Sequence, residues 1–254
     1  MTQQDALAAA LPGQAVYTAT SLRIYDAMVL GFSNRFLWGC PTAELVALYD
    51  DNVSANHLDA GVATGYFLDR CRFPTESPRL CLLDLNEVCL ATAAARVARY
   101  RPETLRANVL APIDAPAEPF DSLGIMYLLH CLPGPMPRKG VAFANLKPLL
   151  REGARVFGAA ILGRGVPHNM LGRRVMDFYT ARGIFGNAED DLAGQTIDPD
   201  AVDLPEPGEQ EEHLGVEGVA LDVGVEAAGQ EGVLLERLQE PLAAAPAVHP
   251  VDQR

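Results

Sequence analysis

Long apolar runs are missing from this 254-residue chain. No stretch approaches the ~20 consecutive apolar residues that a membrane-spanning helix requires, so a helical membrane protein is not expected. The start, Met1-Thr-Gln-Gln-Asp-Ala-Leu7, has an acid and no basic cluster. It does not read as a signal peptide, and a cytoplasmic location is expected. Cysteine is sparse: Cys40, Cys71, Cys81, Cys89 and Cys131, with no Cys-x-x-Cys pair. An odd number at irregular spacing implies reduced thiols, with neither a disulfide framework nor a zinc site, and no metal is expected.

Aromatics vanish from residue 186 onward, and basic residues nearly do. Residues 187–254 hold 2 Lys+Arg against 17 Asp+Glu, a balance of -15. Residues 1–186 hold 18 against 16, a balance of +2, so the net charge of -13 belongs to the tail. A near-neutral body offers no electrostatic platform for nucleic acid, and a small-molecule partner is the expectation. Oligomeric state is not readable from these features.

Hydrophobic residues make up 49% of the chain, enough for a substantial core. Residues 1–53 read as a helical cap. Thr20 or Ser21 caps a segment through Leu22, Ile24, Tyr25, Met28, Val29 and Leu30, which Gly31 ends. Pro41-Thr42 opens another, with Leu45, Val46, Leu48 and Tyr49 inward. Residues 54–186 then alternate short strands with helices. The strands are Asn56–Asp59, Leu80–Leu85, Thr104–Asn108, Ser122–Leu128 and Arg155–Ala160. The helices are Tyr66–Arg72, Glu87–Tyr100 and Arg138–Leu150, followed by one from Asn169 to Ala181 that packs Leu171, Val175, Met176 and Phe178. This is the pattern of an α/β, Rossmann-like doubly wound, mainly parallel sheet with helices on both faces. Residues 187–254 read as an acidic, poorly packed or disordered tail. Within it Val219–Val225 alternates weakly, as a strand does, and Gly232–Gln239 suits a short helix.

The chemistry concentrates at the first strand-to-helix turn, Leu58-Asp59-Ala60-Gly61-Val62-Ala63-Thr64-Gly65-Tyr66. Small residues there let the backbone approach a ligand, and the following helix start presents free N–H groups. A nicotinamide fingerprint requires Gly-x-Gly-x-x-Gly, but the second and third glycine places hold Ala63 and Tyr66. Asp59 stands two residues before Gly61; a carboxylate there suits a cationic ligand and repels a pyrophosphate. Asp84 closes the next strand, 23 residues after Gly61, where an acid accepts both hydroxyls of a ribose. The competing reading of Asp84 is a cap for the helix that follows.

Taken in order, these motifs resemble the core of class I S-adenosylmethionine-dependent methyltransferases, over residues 54–160. His57–Gly65 resembles the glycine motif, Leu83-Asp84-Leu85-Asn86 the acidic ribose motif, and Ala107-Asn108-Val109-Leu110 the segment placed against the adenine. Phe120–Pro133 resembles the fourth strand and Leu149–Phe157 the turn into the fifth. Tyr25-Asp26, Ser33-Asn34-Arg35, Trp38, Cys40-Pro41 and Arg182–Asp190 are similar to a bacterial subgroup of small methyltransferases with unassigned substrates. The resemblance implies S-adenosyl-L-methionine as cofactor, in contact with Asp59, Ala60, Gly61, Thr64, Gly65, Asp84, Leu85, Asn108, Val109 and Tyr127. His130, just past the fourth strand, is a candidate general base, with loop packing as the alternative. Tyr17, Tyr25, Trp38 and His168 are substrate-side candidates. Ala63 replaces the family's middle glycine and is expected to keep a negative φ. The family's terminal antiparallel hairpin is expected to be missing or degenerate, the tail being a divergent end or the product of a shifted reading frame. A nicotinamide-dependent oxidoreductase and a non-catalytic cofactor-binding module are the alternative functions.

Overall fold

A computed structural model describes residues 10, 12–14, 17–191, 223–227 and 233–238. Seven strands form one sheet in the order β3-β2-β1-β4-β5-β7-β6. They are β1 (Asn56–Ala60), β2 (Arg79–Asp84), β3 (Glu103–Arg106), β4 (Phe120–Met126), β5 (Leu150–Ile161), β6 (Val223–Ala227) and β7 (Val233–Leu238). The first five run parallel, and β7 is antiparallel to both β5 and β6. Strand order reverses between β1 and β4, and the crevice at that switch point is where an open α/β sheet takes its ligand.

The strand sequences explain the layering. In β2, Leu80 and Leu82 join one apolar cluster while Cys81 and Leu83 join the other. Alternate side chains leave opposite faces of a strand, so a continuous apolar run is buried twice over. Tyr49, Leu45 and Phe157 anchor one cluster; Phe120, Leu146 and Leu149 anchor the second. Among the described residues no helix is long and apolar enough to cross a membrane.

Helices α1 (Ala19–Tyr25), α2 (Thr42–Asn52), α3 (Tyr66–Arg70), α4 (Glu87–Arg96), α5 (Met136–Leu146) and α6 (Met170–Thr180) cover the sheet. The cap of α1 is Thr18, not Thr20 or Ser21: Thr18 Oγ1 accepts from the Ser21 N–H, and Ser21 Oγ accepts from the Thr18 N–H at 2.8 Å. Nor does Gly31 end the helix. The chain continues as a π-helical stretch, Asp26–Ser33, and a last α-turn, Asn34–Phe36. A mid-helix glycine costs only ~1 kcal/mol, which burial of the neighbouring Leu30 side chain, worth ~1.5–3 kcal/mol, outweighs. Residues 26, 30 and 34 face inward, while Ile24, Met28, Phe32 and Phe36 are exposed.

Two further expectations are corrected. On α6, Gly172 and Met176 face inward, whereas Leu171 and Phe178 are exposed. A Cβ on residue 172 would lie 2.7 Å from the Leu37 carbonyl oxygen, so the glycine lets α6 approach the end of the helical run Ala19–Phe36, hereafter the lid, and turns Leu171 outward. The terminal hairpin is present, and 233–238 is a strand where a short helix was expected. β5 would otherwise expose a row of unpaired N–H and C=O groups, which β7 satisfies from Val156 to Ile161. The start of the expected tail is also packed: Asn187 and Asp190 are buried, Asn187 Nδ2 donating to the Ile161 carbonyl at 2.7 Å. Apart from 187–191 and the hairpin strands, the tail lies outside the described residues.

Candidate functional site

β1 delivers the chain to the turn at Ala60. Gly61 takes φ +80°, and its N–H donates to the Leu83 carbonyl at 2.9 Å, stitching the turn to β2. Gly65 takes φ +70° and lies against α4, where an added Cβ would come within 3.0 Å of Ala93. Glycine is required at both positions for backbone conformation and for space. Ala63 also has a positive φ, +44°, contrary to expectation. The turn imposes on it a conformation that an L side chain adopts at a cost of ~1–2 kcal/mol.

The turn roofs a cleft enclosing about 690 Å³, part of it open to solvent. Gly61, Ala63, Asp84, Leu85, Asn108, Val109, Tyr127, Tyr17 and Tyr25 all line it. A smaller adjoining hollow, lined by Asp59, Thr64, Gly65 and Tyr66, shares Tyr25, Gly61, Ala63, Met126 and Tyr127 with the cleft.

Asp84 ends β2 with its carboxylate under the turn. Oδ1 accepts the Asn86 N–H at 2.8 Å, and the N–H groups of Ala63, Leu85 and Val62 also point at it. Burial raises its pKa to about 6, and those N–H groups hold back a larger rise. It is not the helix cap; Asn86 is, accepting the Val88 N–H at 2.9 Å. Just past the neighbouring strand β3, Asn108 Oδ1 accepts the Leu110 N–H at 3.0 Å, which fixes the amide orientation and leaves Nδ2 buried without a protein partner. An orphaned buried donor on a cleft wall is costly unless a ligand accepts from it.

Asp59 occupies a different setting. Its Oδ2 accepts the Tyr49 hydroxyl at 2.7 Å and lies 3.4 Å from His57 Nε2, while His57 Nδ1 is 2.7 Å from Ser122 Oγ. The carboxylate therefore fronts the smaller hollow, backed by a buried polar chain, and is not on the wall of the larger cleft.

No family model matches the chain. A demethylluteothin O-methyltransferase of Streptomyces thioluteus is 43% identical over 180 residues, 71% of this chain and 78% of that protein. A physcion biosynthesis cluster O-methyltransferase of Aspergillus chevalieri is 41% identical over 182 residues, 71% of this chain and 82% of that protein. The chain belongs to the class I S-adenosylmethionine-dependent methyltransferases. Among solved structures, a DhpI–SAH complex superposes with a TM-score of 0.59 at 13% identity, covering 91% of this chain and 96% of that one. PigF with SAH gives 0.56 at 11% identity, covering 89% and 61%. At such identities these two likenesses establish the fold alone.

In this methyltransferase the remaining expected site residues separate into two groups. Tyr17 and Tyr25 come together on the cleft wall, ring centroids 5.7 Å apart. Burial raises both phenols well above their ordinary value, so both hydroxyls stay protonated. Tyr127, the first residue past β4, takes φ +58°, and its hydroxyl reaches into the lid. Ala60 is fully buried and lines neither hollow, as befits a strand residue pointing away from the turn.

Three candidates lie off the site altogether. His130 is buried behind the cleft wall, its Nδ1 accepting the Ile161 N–H at 3.3 Å between the rings of Tyr127 and Phe185. Desolvation, aided by nearby Lys139, lowers its pKa to about 3, so it is a neutral packing residue facing away from the cleft. Trp38 belongs to the core, edge-on to His168, whose Nε2 is 2.7 Å from the Leu162 carbonyl oxygen. Sequence reasoning missed Cys89, Cys131, Gly13 and Gln14, which also line the cleft. Cys89 comes from the start of α4, Cys131 from the 3-10 turn Leu129–Cys131 after β4, and Gly13 and Gln14 from ahead of α1. Gly13 is there because a Cβ would lie 2.5 Å from the Cys131 carbonyl oxygen.

Proposed function

We propose that the cleft holds S-adenosylmethionine and that the enzyme transfers its methyl group in line to an oxygen of a small molecule. The observation that carries the reading is the pairing of Asp84 with Asn108 on one cleft wall. The first offers carboxylate oxygens to a ribose diol, and the second an unpartnered N–H to a ring nitrogen of adenine. Gly61 and Gly65 give the backbone close access to the bound donor. Leu85 and Val109 flank the adenosine, and Asp59 and Thr64 lie toward the cationic amino-acid end. When bound, the sulfonium supplies an activated methyl group; the chain's own part is to align it and exclude water. The protonated Tyr17, Tyr25 and Tyr127 fit a wall that orients the acceptor. The segment 1–53 serves as the cap over this site, 54–186 as the cofactor-binding core.

The names of the two relatives favour oxygen over nitrogen or carbon as acceptor. His130 supports the wall and takes no proton from the acceptor. The five free cysteines suit a reducing compartment such as the cytoplasm. Calorimetry with S-adenosylhomocysteine and, in parallel, NADH tests the reading. Affinity for S-adenosylhomocysteine alone, weakened at least about a hundredfold by Asp84→Ala, is expected. Binding of NADH in its place, or an Asp84→Ala variant that binds normally, overturns it.

A further inference from the structure

The lid and the glycine turn meet in a side-chain cluster outside the cleft proper. Asp26 opens the π-helical stretch and spreads its carboxylate over two partners. Oδ1 accepts the Thr64 hydroxyl at 2.7 Å, and Oδ2 accepts Arg96 Nη2 at 2.5 Å. Arg96, at the end of α4, also donates through Nη1 to Thr64 Oγ1 at 3.0 Å. Three residues from three elements thus close a ring of hydrogen bonds.

The middle residue is the informative one. Thr64 lies between Ala63 and Gly65, both held at positive φ, and is itself buried. A threonine hydroxyl has one proton. Given to Asp26, that proton is not available to a ligand, so the side chain serves as a handle on the turn and not as a cofactor donor. Arg96 and Asp26 are about a quarter to a third exposed, at 30% and 26%. A plain ion pair at that exposure adds little to global stability. What the ring does control is local: the position of the turn relative to the lid that crosses it.

We propose that Asp26 and Arg96 are positioning residues, which grip Thr64 and so hold the glycine turn in its cofactor-capturing form while the lid is down. The inference rests on the reading of the cleft as an S-adenosylmethionine site. Because the ring joins lid and turn, occupancy of the cleft and order in the lid are coupled through it.

The test uses the full chain and S-adenosylhomocysteine. Affinity is measured by calorimetry, and amide hydrogen exchange is followed over residues 17–36. Asp26→Asn and Thr64→Val are expected to bind about tenfold more weakly, with melting temperatures close to wild type. Thr64→Ser, which keeps the hydroxyl, is expected to retain wild-type affinity. Ligand is expected to slow exchange in the lid of the wild type and of Thr64→Ser, but not of Asp26→Asn. Should Asp26→Asn fail to fold, Thr64→Val breaks the same ring and leaves the Asp26–Arg96 pair intact. Wild-type affinity in both Asp26→Asn and Thr64→Val overturns the proposal while leaving the cofactor reading standing. A wild-type chain that does not bind S-adenosylhomocysteine overturns both.

Discussion

The Tyr127 hydroxyl donates to Asn34 Oδ1 at 3.0 Å, tying the end of β4 to the lid helix. Asn34, fully buried, passes the connection on through Nδ2 to Thr42 Oγ1, which in turn donates to the Leu30 carbonyl. Tyr127 holds a left-handed backbone conformation, φ +58°, which is costly for an aromatic residue and persists only where the surroundings over-determine it. Removing the hydroxyl in Tyr127→Phe leaves a buried amide oxygen without its donor. A loss of about 1–3 kcal/mol in denaturant unfolding is expected, together with weaker S-adenosylhomocysteine binding. A variant as stable as the wild type shows the bond to be unimportant.

Ala63 at φ +44° invites the opposite kind of change. Ala63→Gly relieves ~1–2 kcal/mol of left-handed strain but adds ~0.4–1 kcal/mol of unfolded-state entropy, so a net gain of about 0.5 kcal/mol is expected. Thermal unfolding reads it directly. A fall in melting temperature contradicts the strain assignment.

Asp84 is expected to give the proposed cofactor site a pH dependence. Its folded-state pKa, about 6, is higher than that of an exposed carboxylate, so the buried charge costs the empty fold stability above that value. Protonation as the pH falls through about 6 removes that cost, so the empty protein gains stability on this account. Ribose hydroxyls require the ionised form. Affinity for S-adenosylhomocysteine is therefore expected to decline below pH ~6, by up to about tenfold per unit, and to be flat above it. A calorimetric series from pH 5 to pH 8 decides, and an affinity that stays level on the acid side contradicts it.

Lys139 and Asp190 form a buried ion pair at 2.5 Å, both almost wholly shielded from water. Desolvation pulls the lysine down and the carboxyl up, and their contact opposes both shifts. Lys139→Met strands a buried carboxylate and is expected to cost about 3–5 kcal/mol. The double change Lys139→Met with Asp190→Leu is expected to recover most of that loss. Urea unfolding of the set measures the coupling; additive losses contradict the pairing.

Much of the candidate cleft is legible in the sequence because its lining residues are local in sequence. Gly61, Gly65 and Asp84 each owe their place to a strand end and the turn after it, and such ends follow from hydrophobic periodicity. Asn108 and Tyr127, just past β3 and β4, are marked only by the family resemblance. Less legible were groups whose role depends on what packs over them. His130 has the right position in the chain for a base, but the segment at Phe185 and Gly186 closes over its ring. Trp38 and His168 find each other across 130 residues and leave the substrate side empty of both.

From the chain alone came the α/β alternation, the glycine turn and the carboxylate that follows it, since each depends on neighbours a few residues away. Only the folded molecule decided that Asp59 fronts the smaller hollow, that Ala63 is strained, that Thr64 is held by Asp26 and Arg96, and that 233–238 is a strand. Those outcomes turn on hydrogen-bond partners and empty sheet edges supplied by distant segments, and local sequence carries no record of which distant group arrives.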